Sequence, residues 1–599
     1  MTRQKGGSYI AEALVREKIP YIFGICGHGT VGLIDCLAEV KDEIPMISPR
    51  HEQTAVHMAD GFFRVSHRIA ATLSSTGPGS CNQIMGLAVA QTDSSAILAI
   101  TANVPTQQFN RAPFQELNMH GQADFGQVIK PVVKRSFQPS RVEQLPLMIR
   151  QAAATMTTGR PGPVNLDIPY NLFQEEAELT PEPVGSAFGM RRPGASAEDV
   201  AQSVDWLLAA ERPVIFVGHG MALSEAGREL TALAHRLSIP VISSPNGMGT
   251  IDMEDPLSLG FIGRNGAYQA NQAGRHADLV LAIGARFDDR SASSWRPGYS
   301  WNFPATRLVH VDLDHAELTR NYTPDLAILA DARTFLRQIL AELDARAAGS
   351  DAPPNGLPRL QGWRDEIAGW RAEWEDFVAP GFAAHQQPIR PERIVADCQK
   401  ILPPDAILSF DAGIHHNWFM QFWKARGPQN MLNSWGYSGM GFGPSAILGA
   451  KLAAPDRVCV SVCGDGGFTM VPHVLCTAVE FDIPVIWIVW NNFAWGAIRD
   501  LQYGYFEGRE YGTAFYRGPN AEPYNPDFAA WARASGVAGF TVTRSEDFAA
   551  TLEEAIRLNR PVLIDVHVDA DIRPPATGSW SLPPLQPKEP AFGTAWRPE

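Results

Sequence analysis

Nine short apolar runs, each bounded by glycine, proline or aspartate, constrain the fold of this chain more than any other feature. They occupy 70–76, 96–104, 163–169, 213–218, 279–285, 308–314, 457–466, 484–492 and 561–568, and amphipathic stretches separate them. Continuous apolar composition rich in β-branched residues is the mark of strands buried on both faces. Such strands lie in parallel sheets covered by helices, which is the α/β class. Two breaks in composition divide the 599 residues: a Pro/Glu-rich segment at 175–193 and an Ala/Gly/Pro-rich one at 345–357. They predict domains at 1–175, 190–345 and 365–572, followed by a proline-rich arm at 573–599. No short tandem repeat is present, and the first and third domains are free to share a fold.

The formal net charge of -14 argues against a nucleic-acid surface, which needs an excess of Lys and Arg. No run of about 18 apolar residues occurs, so no membrane span is expected. The N-terminal MTRQKGGSYIAEAL has neither the apolar core nor the cleavage site of a signal peptide. Seven scattered cysteines read as reduced thiols. Cys459 and Cys463 lack partners at zinc-site spacing and read as core thiols. A cytoplasmic protein acting on a small molecule is expected. The arm, with Trp580, Phe592 and Trp596 among its prolines, is either a disordered end or a strap laid over another surface.

Two strand ends carry the strongest chemical signal. Gly464-Asp465-Gly466 follows one apolar run, and Asn491-Asn492 follows the next after 24 residues. Ligands of open parallel sheets bind at the carboxyl ends of strands. A carboxylate beside a carboxamide suits Mg2+, whose shell phosphate oxygens would complete. Gly466 and Gly467 allow main-chain N–H groups to approach a phosphate. A bare Gly-Asp-Gly is more often a turn; its pairing with Asn-Asn is specific.

This pairing resembles the signature of the thiamine-diphosphate enzymes. The resemblance implies that Asp465, Asn492 and the carbonyl of Ala494 hold magnesium on the diphosphate. A second stretch, His51-Glu52-Gln53-Thr54-Ala55 continuing as VHMADGFFR, resembles the first-domain signature of the acetolactate synthases and their relatives. There the glutamate, here Glu52, hydrogen-bonds the cofactor's pyrimidine and relays the proton that activates it. Further matches run along most of the chain. Gly77-Pro78-Gly79 through Asn82 resembles the family's Gly-Pro-Gly loop, and Phe114-Gln115-Glu116 its active-site Phe-Gln-Glu segment. Asp411-Ala412-Gly413 through His415 resembles the diphosphate-side loop. Gly439-Met440-Gly441 supplies the bulky residue that props the cofactor in a V shape. The implied architecture is a pyrimidine-binding domain, a central Rossmann-like domain and a diphosphate-binding domain. The implied assembly is a homodimer or homotetramer with cofactors held between subunits.

The substrate-facing segments fit less closely. The stretch from Phe493 to Gln502 departs from the synthase pattern; its Trp495-Gly496-Ala497, like His57-Met58-Ala59-Asp60-Gly61, looks more like the sulfoacetaldehyde acetyltransferases. The loop Gly24-Ile25-Cys26-Gly27-His28-Gly29 carries a histidine, as in relatives that hydrolyse cyclic 1,2-diones. His28 and His120 are therefore candidate proton-transfer groups beside Gln115; the alternative for His28 is a turn histidine. Phe114, Arg290, Trp495 and Ile498 are candidate substrate contacts. Flavin adenine dinucleotide (FAD) stays open: Gly284 to Arg290 and Gly218-His219-Gly220 favour a retained FAD site, while Arg290 is alternatively a substrate contact. The leading expectation is decarboxylation of a 2-oxo acid followed by joining of the remaining fragment to a second carbonyl. The alternatives are dione hydrolysis or acetyl transfer on the same scaffold, and a catalytically silent cofactor-binding subunit.

Overall fold

The computed structural model describes residues 2–117, 124–180, 191–348, 357–518 and 521–578. Its backbone is organised around three six-stranded sheets, all parallel. The first has the spatial order Met46–Ile47, Ile22–Gly24, Ala71–Ser74, Leu98–Asn103, Val164–Pro169, Ser136–Phe137. The last has the order Met431–Asn433, Ile407–Phe410, Cys459–Gly464, Ile486–Asn491, Val562–His567, Ala538–Val542. Numbered along the chain, both read 2-1-3-4-6-5, so the first and third domains share one topology. The middle sheet runs Ser258–Phe261, Val241–Ser243, Pro213–Val217, Leu279–Ile283, Arg307–Asp312, Leu326–Leu329. That is 3-2-1-4-5-6, the order of dinucleotide-binding folds. The apolar runs became these strands because each side chain is covered from both faces: Ile486–Asn491 and Val164–Pro169 are buried throughout. Cys459 and Cys463 lie in the core, and all seven cysteines are free thiols.

The first and third domains are joined by two helices. Glu52–Ser66 packs along Phe442–Ala453, and their residues belong to one continuous apolar core. The helices approach so closely that a Cβ on Gly449 would overlap the main-chain oxygen of Met58. The ADGFFR part of the first-domain signature builds this junction. Arg64 pairs with Asp60 (2.6 Å) and Asp93 (3.2 Å) and donates to the main-chain oxygen of Asn433. Asp93 also accepts from Asn246 of the middle domain and from the Gly436 amide of the third. All three charged residues are buried.

Two segments differ from the sequence expectation. Within the composition break at 175–193, Glu176–Leu179 forms a strand antiparallel to Thr2–Lys5. Main-chain pairing with the chain's own start outweighs the poor strand propensity of Glu. Helix Gln361–Ala383, most of which the break at 345–357 hands to the third domain, lays Trp363 and Ile367 into the middle domain's core. Trp363 Nε1 donates to the Pro213 carbonyl at 3.3 Å. Composition marks where a chain is irregular; it does not say which side the next helix packs on. Among the described residues no helix is long and apolar enough to cross a membrane.

Candidate active site

Functional side chains collect at the carboxyl ends of the first and third sheets, as the open-sheet rule requires. In the first domain, His51 caps helix Glu52–Ser66 by accepting from the Gln53 amide (3.2 Å), which places Glu52 at the helix start. Asn82 donates to Glu52 Oε2 at 2.9 Å. The other carboxylate oxygen lies against Gly79, in the turn that carries Pro78. Gly77 has φ +65°, and a Cβ there would overlap the carbonyl oxygen of Gln115. Glycine is thus required for the Phe114–Gln115 segment to seat on the Gly-Pro-Gly turn. Gln115 itself holds φ +64°, a conformation that non-glycine residues adopt at a cost, and one concentrated at functional sites.

Gly27 packs on Ser75, which brings the following His28 to the same rim. The His28 ring meets Phe114 (5.5 Å between centroids) and Tyr170 (5.7 Å). These three, with Arg111, line an open cleft. Phe114 is 78 % exposed. His120 lies outside the described residues.

In the third domain, Gly464 ends its strand and Asp465, Gly466 and Gly467 open a short helix. Asp465 is 1 % exposed. Burial pushes its carboxyl up to about 7, against hydrogen bonds from Asn525 and from the Gly466, Phe493 and Ala494 amides. Among the described residues no basic side chain pairs with it. A buried carboxylate without a counter-charge is costly unless a cation is supplied. Asn492 is buried beside it, at the end of the adjacent strand, and Phe493 turns the chain at φ +56°. The donor set is one carboxylate, one carboxamide and the Ala494 carbonyl. It fits magnesium shared with a diphosphate, and it is too sparse in His, Cys and acids to make a free-standing metal site. The Trp495 ring lies over Gly466, and Ile498 is 52 % exposed.

Asp411 was visible in sequence only as part of a loop. Its carboxylate accepts from the Gly441 (3.0 Å) and Gly443 (3.2 Å) amides, so it holds the loop that presents Met440 and Gly439. Gly413 and Gly464 frame the ring of His415. Burial lowers the His415 pKa to about 4, which keeps it neutral. Arg290 of the middle domain reaches the third: its guanidinium stacks 4.2 Å above Trp435 and donates to Asn417 Oδ1 at 2.9 Å.

The middle domain carries a separate cleft of about 1000 Å³ between strands Pro213–Val217 and Leu279–Ile283, where the strand order reverses. Gly218, Gly220 and Gly284 form its floor, and Arg160, Arg286 and Asp312 its walls.

The chain matches three family descriptions in the order of its sheets. They are the N-terminal TPP-binding domain of thiamine pyrophosphate enzymes at 4–123, their central domain at 200–339 and their C-terminal TPP-binding domain at 411–566. The fold and the two half-sites are thus those of a thiamine-diphosphate-dependent enzyme, and the chain belongs to the thiamine pyrophosphate enzyme family. Within it, the chain is 33% identical to a probable acetolactate synthase large subunit of Methanocaldococcus jannaschii, over 94% of this chain and 92% of that protein. It is 30% identical to the acetolactate synthase isozyme 3 large subunit of Escherichia coli, over 95% and 96% respectively. The acetolactate synthase large subunit of Parasynechococcus marenigrum is 32% identical over 94% and 87%.

Proposed function

We propose that this protein is a carboligase of the acetolactate synthase type, which decarboxylates a 2-oxo acid and joins the remaining fragment to a second carbonyl compound. One observation carries the reading of the site. Among the buried polar atoms that lack a hydrogen-bond partner among the described residues, three belong to candidate site residues: Gln115 Oε1, His415 Nε2 and Arg290 Nε. One lies in each of the three domains. A bound ligand would give these three atoms the partners that the described residues do not. A diphosphate answers His415 Nε2, a substrate carboxylate accepts from Arg290 Nε, and a substrate hydroxyl donates to Gln115 Oε1.

Thiamine diphosphate, when bound, would supply a nucleophilic carbon and a cationic ring able to take up the electrons released by a departing carboxylate. The chain's residues do the rest. Glu52, oriented by Asn82, holds the proton exchanged with the pyrimidine. Met440, on the loop that Asp411 steadies, would pack against the bound cofactor. Asp465, Asn492 and the Ala494 carbonyl hold magnesium. Gln115 and His28 serve proton transfer at the reacting oxygen, and Phe114, Trp495 and Ile498 screen it from water. Homologues named as acetolactate synthase large subunits favour this over dione hydrolysis, acetyl transfer to phosphate or a silent subunit.

The active unit is a homodimer or homotetramer in which Glu52 of one copy faces Asp465 of another. The supporting feature is apolar exposure around both half-sites, at Val31, Met85 and Phe114 on one and Tyr437, Met470 and Ile498 on the other. The central cleft suits FAD, with arginines for a diphosphate and Asp312 for ribose hydroxyls. Seven free thiols suit a cytoplasmic setting.

The test is carbon dioxide release and product mass from purified protein with pyruvate, thiamine diphosphate and Mg2+. Release of carbon dioxide with formation of acetolactate is expected. Bound cofactor without release would overturn the decarboxylating reading and direct the search to diones and sulfoacetaldehyde.

A further inference from the structure

The two asparagines after strand Ile486–Asn491 have different work, and the difference exposes a residue with no motif of its own. Asn492 belongs to the metal-side donor set. Asn491 is buried beneath it and turns the other way: its Nδ2 donates to Asp565 Oδ1 at 2.9 Å. Its Oδ1 accepts from Asn525 Nδ2 at 2.7 Å, and the same Asn525 nitrogen lies 2.8 Å from Asp465 Oδ2.

The direction of this chain is forced. Its two ends are carboxyl groups, which in the ionised form that binds a cation only accept. Asn491 must turn its NH₂ to Asp565, which leaves its oxygen toward Asn525. Asn525 must then present NH₂ to both Asn491 and Asp465. The chain crosses the ends of strands Cys459–Gly464, Ile486–Asn491 and Val562–His567. It is anchored where Asp527 caps helix Phe528–Ala534 and Phe528 packs on Phe468.

Resting on the cofactor reading above, we infer that Asn525 is a positioning residue of the metal–diphosphate centre. It fixes the carboxylate plane of Asp465 by occupying Oδ2, while the Gly466 amide occupies Oδ1 (2.8 Å). It also fixes the strand end that carries Asn492. Partners behind a metal ligand typically change metal affinity by about 10- to 100-fold.

The experiment is a Mg2+ titration of full-length protein at fixed thiamine diphosphate, followed by tryptophan fluorescence and by calorimetry. Trp495, packed on Gly466, is the natural reporter. Asn525→Leu keeps the volume and removes the donor. It is expected to raise the Mg2+ needed for half-saturation by about tenfold or more, with the cofactor-free protein still fully folded at the titration temperature. Asn525→Ser, which keeps a donor, should fall between that variant and wild type, and it decides the matter if the leucine protein does not fold. Wild-type half-saturation in a folded variant would overturn the inference while leaving the cofactor reading intact. A weaker titration from a cofactor-free variant that is already partly unfolded at the titration temperature would also overturn it, since the role would then be structural. Binding by wild-type protein that does not depend on Mg2+ would remove both readings.

Discussion

Gln53 donates its side-chain amide to the main-chain oxygen of Met440 at 3.1 Å. The residue beside Glu52 in the first domain thus grips the loop that carries Met440 in the third. The same amide lies 3.3 Å from His57 Nε2. Asp411 holds this loop from the third domain, so Met440 has two anchors in two domains. Replacing Gln53 by Leu keeps the helix and removes one anchor. The expected cost is about 1 kcal/mol of stability, the usual worth of such a bond. kcat should fall with KM nearly unchanged, because the loop acts on cofactor geometry rather than on substrate. Urea unfolding and steady-state kinetics on one preparation check both parts.

Glu52 exchanges a proton in the proposed reaction and also accepts from Asn82 (2.9 Å). Glu52→Gln preserves shape and removes the acid–base function. Turnover is expected to fall by about 10²- to 10⁴-fold, the range that general acid–base catalysis contributes. Cofactor binding should persist. Wild-type turnover in this variant with cofactor bound would refute the proposed activation.

The sequence displayed some of this and hid the rest for physical reasons. Strands buried on both faces write themselves as apolar runs, so the three parallel sheets were legible. The placement of Gly464–Gly466 and Asn492 at strand ends and of Glu52 at a helix start was legible, because each marks where a regular element begins or ends. Asn525 was not, because it meets Asp465 only through folding and lies 60 positions away. Asp60, Arg64 and Asp93 were likewise opaque. Their spacing is that of any charged helix face, and only burial shows that they join three domains.

Arg64 is the centre of that junction. Breaking a buried ion pair by removing one partner costs about 3–5 kcal/mol, because the remaining charges lose their compensation. Arg64→Met leaves Asp60 and Asp93 buried together. Its unfolding free energy is expected to drop by that amount, with a drop in the cofactor-free melting temperature. A loss under 1 kcal/mol would mean that Arg286, 3.7 Å from Asp93, suffices alone.

The contact of helices Glu52–Ser66 and Phe442–Ala453 leaves no room for a side chain at Gly449. Gly449→Ala would raise helix propensity by about 1 kcal/mol on an isolated helix. Here the methyl group meets the Met58 carbonyl, which belongs to a rigid backbone. Overpacking of about 1–3 kcal/mol or more should win, and the variant should be less stable than wild type. Chemical denaturation gives the sign directly.

His57 sets a pH dependence that can be isolated. It is fully buried on the helix that begins at Glu52, its ring set edge-on to Phe442, and its Nδ1 has no partner among the described residues. Burial lowers its pKa from 6.5 to about 4; Asp60 opposes the shift, and Arg64 and His51 add to it. Between those values the unfolded chain takes up a proton that the native histidine refuses. Its contribution to stability is therefore complete above pH 6.5 and is lost as pH falls toward 4. Between pH 7 and pH 5 the loss is about 2 kcal/mol. Buried carboxyls such as Asp411 and Asp167, raised to about 6, change stability in the opposite sense over the same range. The wild-type curve therefore mixes the two. A His57→Leu protein removes only the histidine's part. The difference in unfolding free energy between pH 7 and pH 5 should be about 2 kcal/mol less favourable to pH 7 in the variant. Equal differences in the two proteins would show that the native ring takes up its proton within this range.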